Sequence, residues 1–325
     1  MVIHNTNNFR TEYHARPAGL QVDHASKLLT IGSCFSDNIG QKLLSDKFEV
    51  LVNPFGTVYN PVSIFNLLAA ESIDPDKFVN VDGQFYHLDF HSQYTAQDQQ
   101  TLEVILTSRL EAVKSYLAQA NFVFITLGTA FVYETIASRA IVANCHKVPQ
   151  KHFVKRLLSL EEMSVAFDCL KRKIEEVNPE LQFIFTVSPV RHIKDGIIDN
   201  QLSKSLLRVL CDECQNQGAG YFPAYEMMMD DLRDYRFYKT DMIHPSEMAE
   251  DYIWGKFGQT YFSDQTRKVL KEWGKVQAAL SHRPFHPGSE NHQKFLRDQL
   301  SKLSIFSEYF DVESERNILQ QQLQS

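Results

Sequence analysis

The chain has 325 residues, 43% of them hydrophobic, and 33 Lys and Arg stand against 40 Asp and Glu for a formal net charge of −7. That length supports one large domain or two modest ones, and the acidic balance forgoes bulk attraction to phosphate, which argues against nucleic acid as a partner. The 13 Gly and 11 Pro exclude a collagen-like or broadly disordered chain, and 5 scattered cysteines argue for reduced thiols over a disulfide scaffold.

Residues 1–25 read as a polar, irregular lead without the apolar core or cleavage pattern of a signal peptide. No apolar run reaches the roughly 18 residues of a membrane-spanning helix, so a cytoplasmic chain without a transmembrane segment is expected. From residue 26, short apolar runs end in small or turn residues: Leu28–Ile31 at Gly32-Ser33, Val50–Val52 at Asn53-Pro54-Phe55-Gly56, Phe122–Leu127 at Gly128, and Phe183–Val187 at Ser188. A fifth lies around Tyr221-Phe222. Such runs suit strands buried on both faces. Helix-period stretches lie between them at 38–48, 101–120, 160–177 and 202–217. The alternation predicts a doubly wound α/β domain over 26–260, with a parallel sheet of about five strands. Sites in such sheets lie beyond the carboxyl ends of the strands. Residues 72–100 break the alternation and read as an insertion or small hairpin. Residues 261–325 read as a helical C-terminal extension. It has two patterns, about 264–281 and 290–322, on either side of Arg283–Gly288, and is expected to pack on the domain or form a homodimer contact.

Two segments carry chemistry. Gly32-Ser33 follows the first strand, where a hydroxyl on a sharp turn would enter the cleft beside the free N–H groups of the next helix. A turn glycine and a helix-capping serine explain the same pair. Asp241-x-x-His244 places a carboxylate where it can fix an imidazole tautomer, and the imidazole where it can take a serine proton. Pro245 suits the first turn of a helix. An exposed Asp and a capping His explain this segment alone, but the order of the two segments is far more specific than either.

Together these segments resemble the SGNH/GDSL hydrolase superfamily. Gly32-Ser33-Cys34-Phe35-Ser36 resembles more closely the motif of the GSCFA family, with Ser in place of its final Ala. The segments Asn53–Pro61, Leu127–Ala130, Asn144–Pro149 and Ser188–His192 are also similar to that family, and the resemblance spans about 26–260. It implies a flavodoxin-like three-layer αβα sandwich and serine ester hydrolysis without cofactor or metal. Carried over by position, Ser33 is the nucleophile, His244 the base and Asp241 its orienting partner. The Ser33 and Gly56 backbone N–H groups form the oxyanion hole. Alanine at 130 stands where the superfamily has a donor Asn, and Asn144 is a candidate substitute.

Arg191 follows the fourth strand and suits a substrate carboxylate or phosphate, or an internal acid. His192, His146, His91 and Tyr59 are further candidates for substrate binding, and Phe35 and Phe55 for walls of an acyl pocket. Cys34 is expected to point away from the cleft. Cys211 and Cys214 read as one packing and one surface residue. The substrate expected is a small-molecule or glycan ester, for instance an O-acetyl group on a carbohydrate or cell-envelope precursor. The alternatives are an O-acyltransferase using the same triad, or a catalytically weak binder of such a precursor.

Overall fold

The computed structural model describes residues 10–281 and 289–324. Arg283–Gly288 and the first nine residues of the lead lie outside the described residues. The strands are β1 Lys27–Gly32, β2 Glu49–Val52, β3 Phe78–Val81, β4 Gln84–His87, β5 Phe122–Leu127, β6 Phe131–Thr135, β7 Ile141–Val142, β8 Phe153–Leu157, β9 Gln182–Val187 and β10 Gly220–Tyr221. The longer helices are α1 Cys34–Ser45, α2 Pro61–Ala69, α3 Gln99–Leu117, α4 Leu160–Val177, α5 Ile197–Asn216, α6 Glu247–Tyr261, α7 Asp264–Ser281, α8 Glu290–Phe306 and α9 Glu313–Gln324.

Two compact units emerge. The first comprises residues up to 14, 28–41 and 50–254, and the second 15–27, 42–49 and 255 onward. In the first, a five-stranded parallel sheet has the order β10-β9-β5-β1-β2. Every residue of β5 is buried, as are the last five of β1 and of β9. This continuous apolar character is what a sheet covered on both faces requires. Leu102, Leu106, Leu110, Val113 and Leu117 of α3 and Met163, Phe167, Leu170 and Ile174 of α4 join the sheet's core cluster. The α/β class and the five-strand sheet agree with the sequence pattern.

The chain runs from β1 outward to β2 and returns to place β5 on the other side of β1. The loops after β1 and β5 therefore leave in opposite directions and open a crevice at the strands' carboxyl ends, the topological switch point. The 72–100 insertion contains an antiparallel hairpin, β3–β4, turning at Asp82 and Gly83 with φ of 52° and 79°. A second small sheet, β7-β6-β8, is antiparallel and occupies a stretch, 128–160, where the apolar pattern predicts no strand. Its strands are short and half-exposed, so they lack the continuous apolar run that marks the main sheet.

The second unit has its own core, with Val269, Trp273 and Val276 of α7 against Leu296, Leu303 and Phe306 of α8 and Leu319 of α9. The single pattern expected over 290–322 is two helices, broken at 307–312. The lead contributes too: Val22 bridges Phe262, and its N–H donates to the Tyr261 carbonyl at 2.7 Å. Among the described residues no helix is long and apolar enough to cross a membrane.

Two local features hold the crevice. Gly32 ends β1 at φ 139°, and a Cβ there would stand 2.1 Å from the backbone oxygen of Thr126 on β5. Only glycine fits such an approach and such a φ. Lys204 of α5 is 1% exposed, and its ammonium donates to the carbonyls of Gly128 at 2.9 Å and Ser188 at 2.8 Å, tying together the ends of β5 and β9. Burial lowers the Lys204 amine to about 7. Cys211 and Cys214 are both buried on the same helix, so neither is a surface residue.

Gly32→Ala should destabilise the first unit by about 3 kcal/mol or more, from backbone strain plus a steric clash, read as a fall in the urea midpoint. Lys204 gives a pH signature. Between about pH 7 and the ordinary lysine pKa near 10.4 the unfolded chain binds more protons than the folded one, so stability rises with pH through that window. The wild-type protein should therefore gain stability relative to Lys204→Met on going from pH 7 to 10. A constant difference between the two would refute the buried-amine assignment.

Candidate active site

A cavity of about 450 Å³ opens at the switch point. Cys34 and Tyr59 line it from the β1 and β2 side, Thr129 from the end of β5, Arg191 and His192 from the loop after β9, and His244 from the loop before α6. All belong to the first unit.

The Asp241–His244 turn builds its own geometry. One carboxylate oxygen of Asp241 accepts the backbone N–H groups of Ile243 at 2.8 Å and His244 at 3.0 Å. The other accepts His244 Nδ1 at 2.7 Å. These two backbone bonds, with the imidazole bond, hold the Asp241 carboxyl down at about 2, so it is ionised throughout the neutral range. A carboxylate can only accept, so Nδ1 carries the proton and Nε2 presents its lone pair. Met242 takes a left-handed backbone, φ 59°, to close the turn. The loop is pinned further by Lys239 N–H to the His244 carbonyl at 2.8 Å and by a Tyr238–Pro245 bridge. Pro245 thus sits in that bridge and α6 begins only at Glu247, so the expected helix start at Pro245 moves two residues on.

The β1–α1 turn reverses an expectation. Ser33 is wholly buried, its hydroxyl has no hydrogen-bond partner among the described residues, and it does not line the cavity. Its N–H is committed to the Thr126 carbonyl at 3.1 Å, continuing the β1–β5 pairing. Cys34, expected to point elsewhere, is half-buried and faces the cavity. Burial and the nearby Asp37 carboxylate push the Cys34 thiol up, while the backbone N–H groups of Cys34 and Phe35 and the ammonium of Lys204 pull it down. Asp37 is itself held by Asn53 Nδ2 at 2.7 Å, and the other end of that amide accepts the Gly32 N–H at 2.8 Å.

The Gly56 N–H is also engaged, and Asn144 lies away from the cavity. Gly56 N–H donates to the Asn53 carbonyl at 2.8 Å, and the glycine packs against His91, where a Cβ would lie 2.2 Å from the His91 side chain. The Asn144 side-chain oxygen accepts the His146 N–H at 3.0 Å, and neither residue lines the cavity. His146 stacks on Tyr86 and its Nε2 meets the His87 carbonyl at 2.8 Å, a structural role. His91, whose Nδ1 accepts the Gln93 N–H at 3.3 Å, is likewise outside the cavity. Phe35 and Phe55 are core residues. At position 130 the alanine is buried and its N–H donates to Ser203 Oγ at 2.7 Å.

Tyr59, Arg191 and His192 do meet at the cavity. The His192 ring sits edge-on to Tyr59 at 5.3 Å, and its buried Nε2 has no partner among the described residues. Burial, with Lys204 adding to it, lowers His192 to about 4, so at neutral pH it is an uncharged imidazole. Arg191 donates to the Met242 carbonyl and lies 4.5 Å over the Tyr238 ring, fixing the Asp241–His244 turn rather than pairing with an acid. Its buried Nε likewise has no partner among the described residues.

Three contributors were missed by sequence reasoning. Thr129 lines the cavity, with its hydroxyl 3.1 Å from Ser203 Oγ. Lys155 lines it from the unforeseen β8. Lys204 had a readable signal: Asn200, Ser203, Lys204, Leu207, Leu210, Cys211 and Cys214 follow helical spacing, which puts a lysine on a buried face.

Relationships to known proteins come from two family models. No curated protein matches the chain. The model for the GSCFA domain protein, C-terminal domain, matches residues 273–325. The GSCFA family model matches residues 27–257, which include both the β1–α1 turn and the Asp241–His244 turn, and the chain belongs to the GSCFA family.

Proposed function

We propose that the protein is an acyl hydrolase of SGNH/GDSL type, cleaving an ester or O-acyl bond at the switch-point cavity. The observation that carries this reading is the Asp241–His244 pair: an imidazole held by an ionised carboxylate, on a residue that lines the same cavity as Cys34 of the β1–α1 turn. A nucleophile from that turn gives its proton to Nε2 and attacks the acyl carbonyl. The resulting imidazolium is stabilised by Asp241 and returns the proton to the leaving alcohol. Water, deprotonated by the same imidazole, then releases the acid. No step calls for a cofactor.

Arg191, Lys155 and Lys194 give the cavity wall a cationic bias, offset by Asp195, which pairs with Lys155. That bias favours an acylated substrate with an anionic group, as in a uronic acid or a phosphorylated sugar. A cavity of about 450 Å³ has room for an acceptor beside a short acyl group. Acyl transfer to a sugar hydroxyl is therefore the second reading.

Turnover of short acyl esters should fall at least about a hundredfold in His244→Ala. Asp241→Asn should fall by a similar or larger factor through loss of the correct tautomer. Both should leave the unfolding free energy from urea titration within about 1 kcal/mol of wild type, since both side chains are partly exposed. Full activity in His244→Ala would refute the mechanism. Product analysis with a sugar acceptor present decides between the readings, free acid alone arguing against transfer.

A further inference from the structure

We infer that the attacking atom is the thiol sulfur of Cys34 and that Ser33 is a structural residue. This rests on the hydrolase reading above and deepens it by assigning the nucleophile.

Access separates the two residues. To attack, an atom must reach both the imidazole and a substrate carbonyl in the cavity. Ser33 Oγ has no exposed surface and no hydrogen-bond partner among the described residues, and Ser33 is absent from the cavity wall. Exposing it would require rebuilding the turn. Its N–H is bonded to β5, and the glycine before it rests directly on the β5 backbone. Cys34 already lines the same cavity as His244.

The surroundings of the sulfur suit the task. Cys34 opens the twelve-residue α1, and the backbone N–H groups of Cys34 and Phe35 reach the sulfur. Donors at a helix start favour a thiolate and can pass to the oxyanion as the carbonyl carbon bonds to sulfur. This supplies an oxyanion site where Ser33 and Gly56 N–H are otherwise bound. The Lys204 ammonium lies behind the turn with electrostatic reach to Cys34. Burial first, and then the Asp37 carboxylate, oppose thiolate formation. The resting thiol is therefore protonated and is activated by His244 at the moment of attack.

In the first half-reaction His244 Nε2 takes the thiol proton, sulfur bonds to the acyl carbon, and the carbonyl π pair moves to oxygen. Collapse breaks the carbon–oxygen bond to the alcohol, which leaves with the proton from Nε2, and a thioester remains on Cys34. In the second, water loses a proton to Nε2 and adds to the thioester. Collapse then breaks the carbon–sulfur bond, the acid departs, and sulfur recovers its proton. Oxidation states do not change.

The test uses the full-length protein with p-nitrophenyl acetate. Acid quench during turnover, followed by peptide fragmentation, should place the acetyl group on Cys34. Neutral hydroxylamine should remove it, as it does a thioester and not a serine ester. Cys34→Ala should lose turnover by at least about a hundredfold, and Ser33→Ala should stay within about threefold of wild type. An acetyl group on Ser33, or normal turnover in Cys34→Ala, overturns the inference and leaves the hydrolase reading standing. No turnover and no adduct in the wild type refutes the hydrolase reading, and the inference with it. The adduct map of the wild-type protein distinguishes the two nucleophiles even if Ser33→Ala does not fold.

Discussion

A single buried amine holds the carboxyl ends of β5 and β9 together. Lys204 reaches from α5 under the crevice and bonds the carbonyls that close β5 and β9. A buried carbonyl left without a donor costs roughly 1–3 kcal/mol. One ammonium, or one neutral amine with two N–H bonds, satisfies both. The loops that carry Thr129, Arg191 and His192 start from these two points, so the cavity's rear wall takes its shape from this clamp.

The front wall depends on a steric constraint. Gly32 lies so close to the Thr126 carbonyl that the turn after β1 has little freedom. It delivers Ser33 into the interior and Cys34 to the cavity. With Gly32 seated against β5 and the Ser33 N–H bonded to the Thr126 carbonyl, the chain has little room to place these two residues otherwise before α1 begins at Cys34. Asn53 reinforces the arrangement by accepting the Gly32 N–H while its amide nitrogen holds Asp37.

Much of the framework was legible in the sequence because burial on both faces writes long apolar runs. Leu28–Ile31, Phe122–Leu127 and Phe183–Val187 fall in three central strands of the sheet. The amphipathic period of 160–177 coincides with α4. The short β6, β7 and β8 left no such trace, since half-exposed strands of two to five residues carry too few side chains to show a period. At the site, the Asp241–His244 spacing was readable because its hydrogen bonds are local. The orientation of Ser33 against Cys34 was not, because it is decided by a contact between Gly32 and Thr126, 94 positions apart in the chain. Gly56, Asn144, His91 and His146 cluster near the cavity in sequence logic alone. Their groups are absorbed in turns and stacking contacts.

The Asp241–His244 turn sets its carboxylate from within, while Arg191 and the Tyr238–Pro245 bridge hold it in place. Its carboxylate is fixed by amides two and three residues further on, and by the imidazole it orients. The carboxylate–imidazole pair is thus encoded within four consecutive residues. The rest of the cavity wall comes from other segments of the chain, among them those of Cys34, Tyr59, Thr129 and Lys155. Exchange at Tyr59, Thr129 or Lys155 would therefore reshape the cavity wall without disturbing the bonds that hold the imidazole.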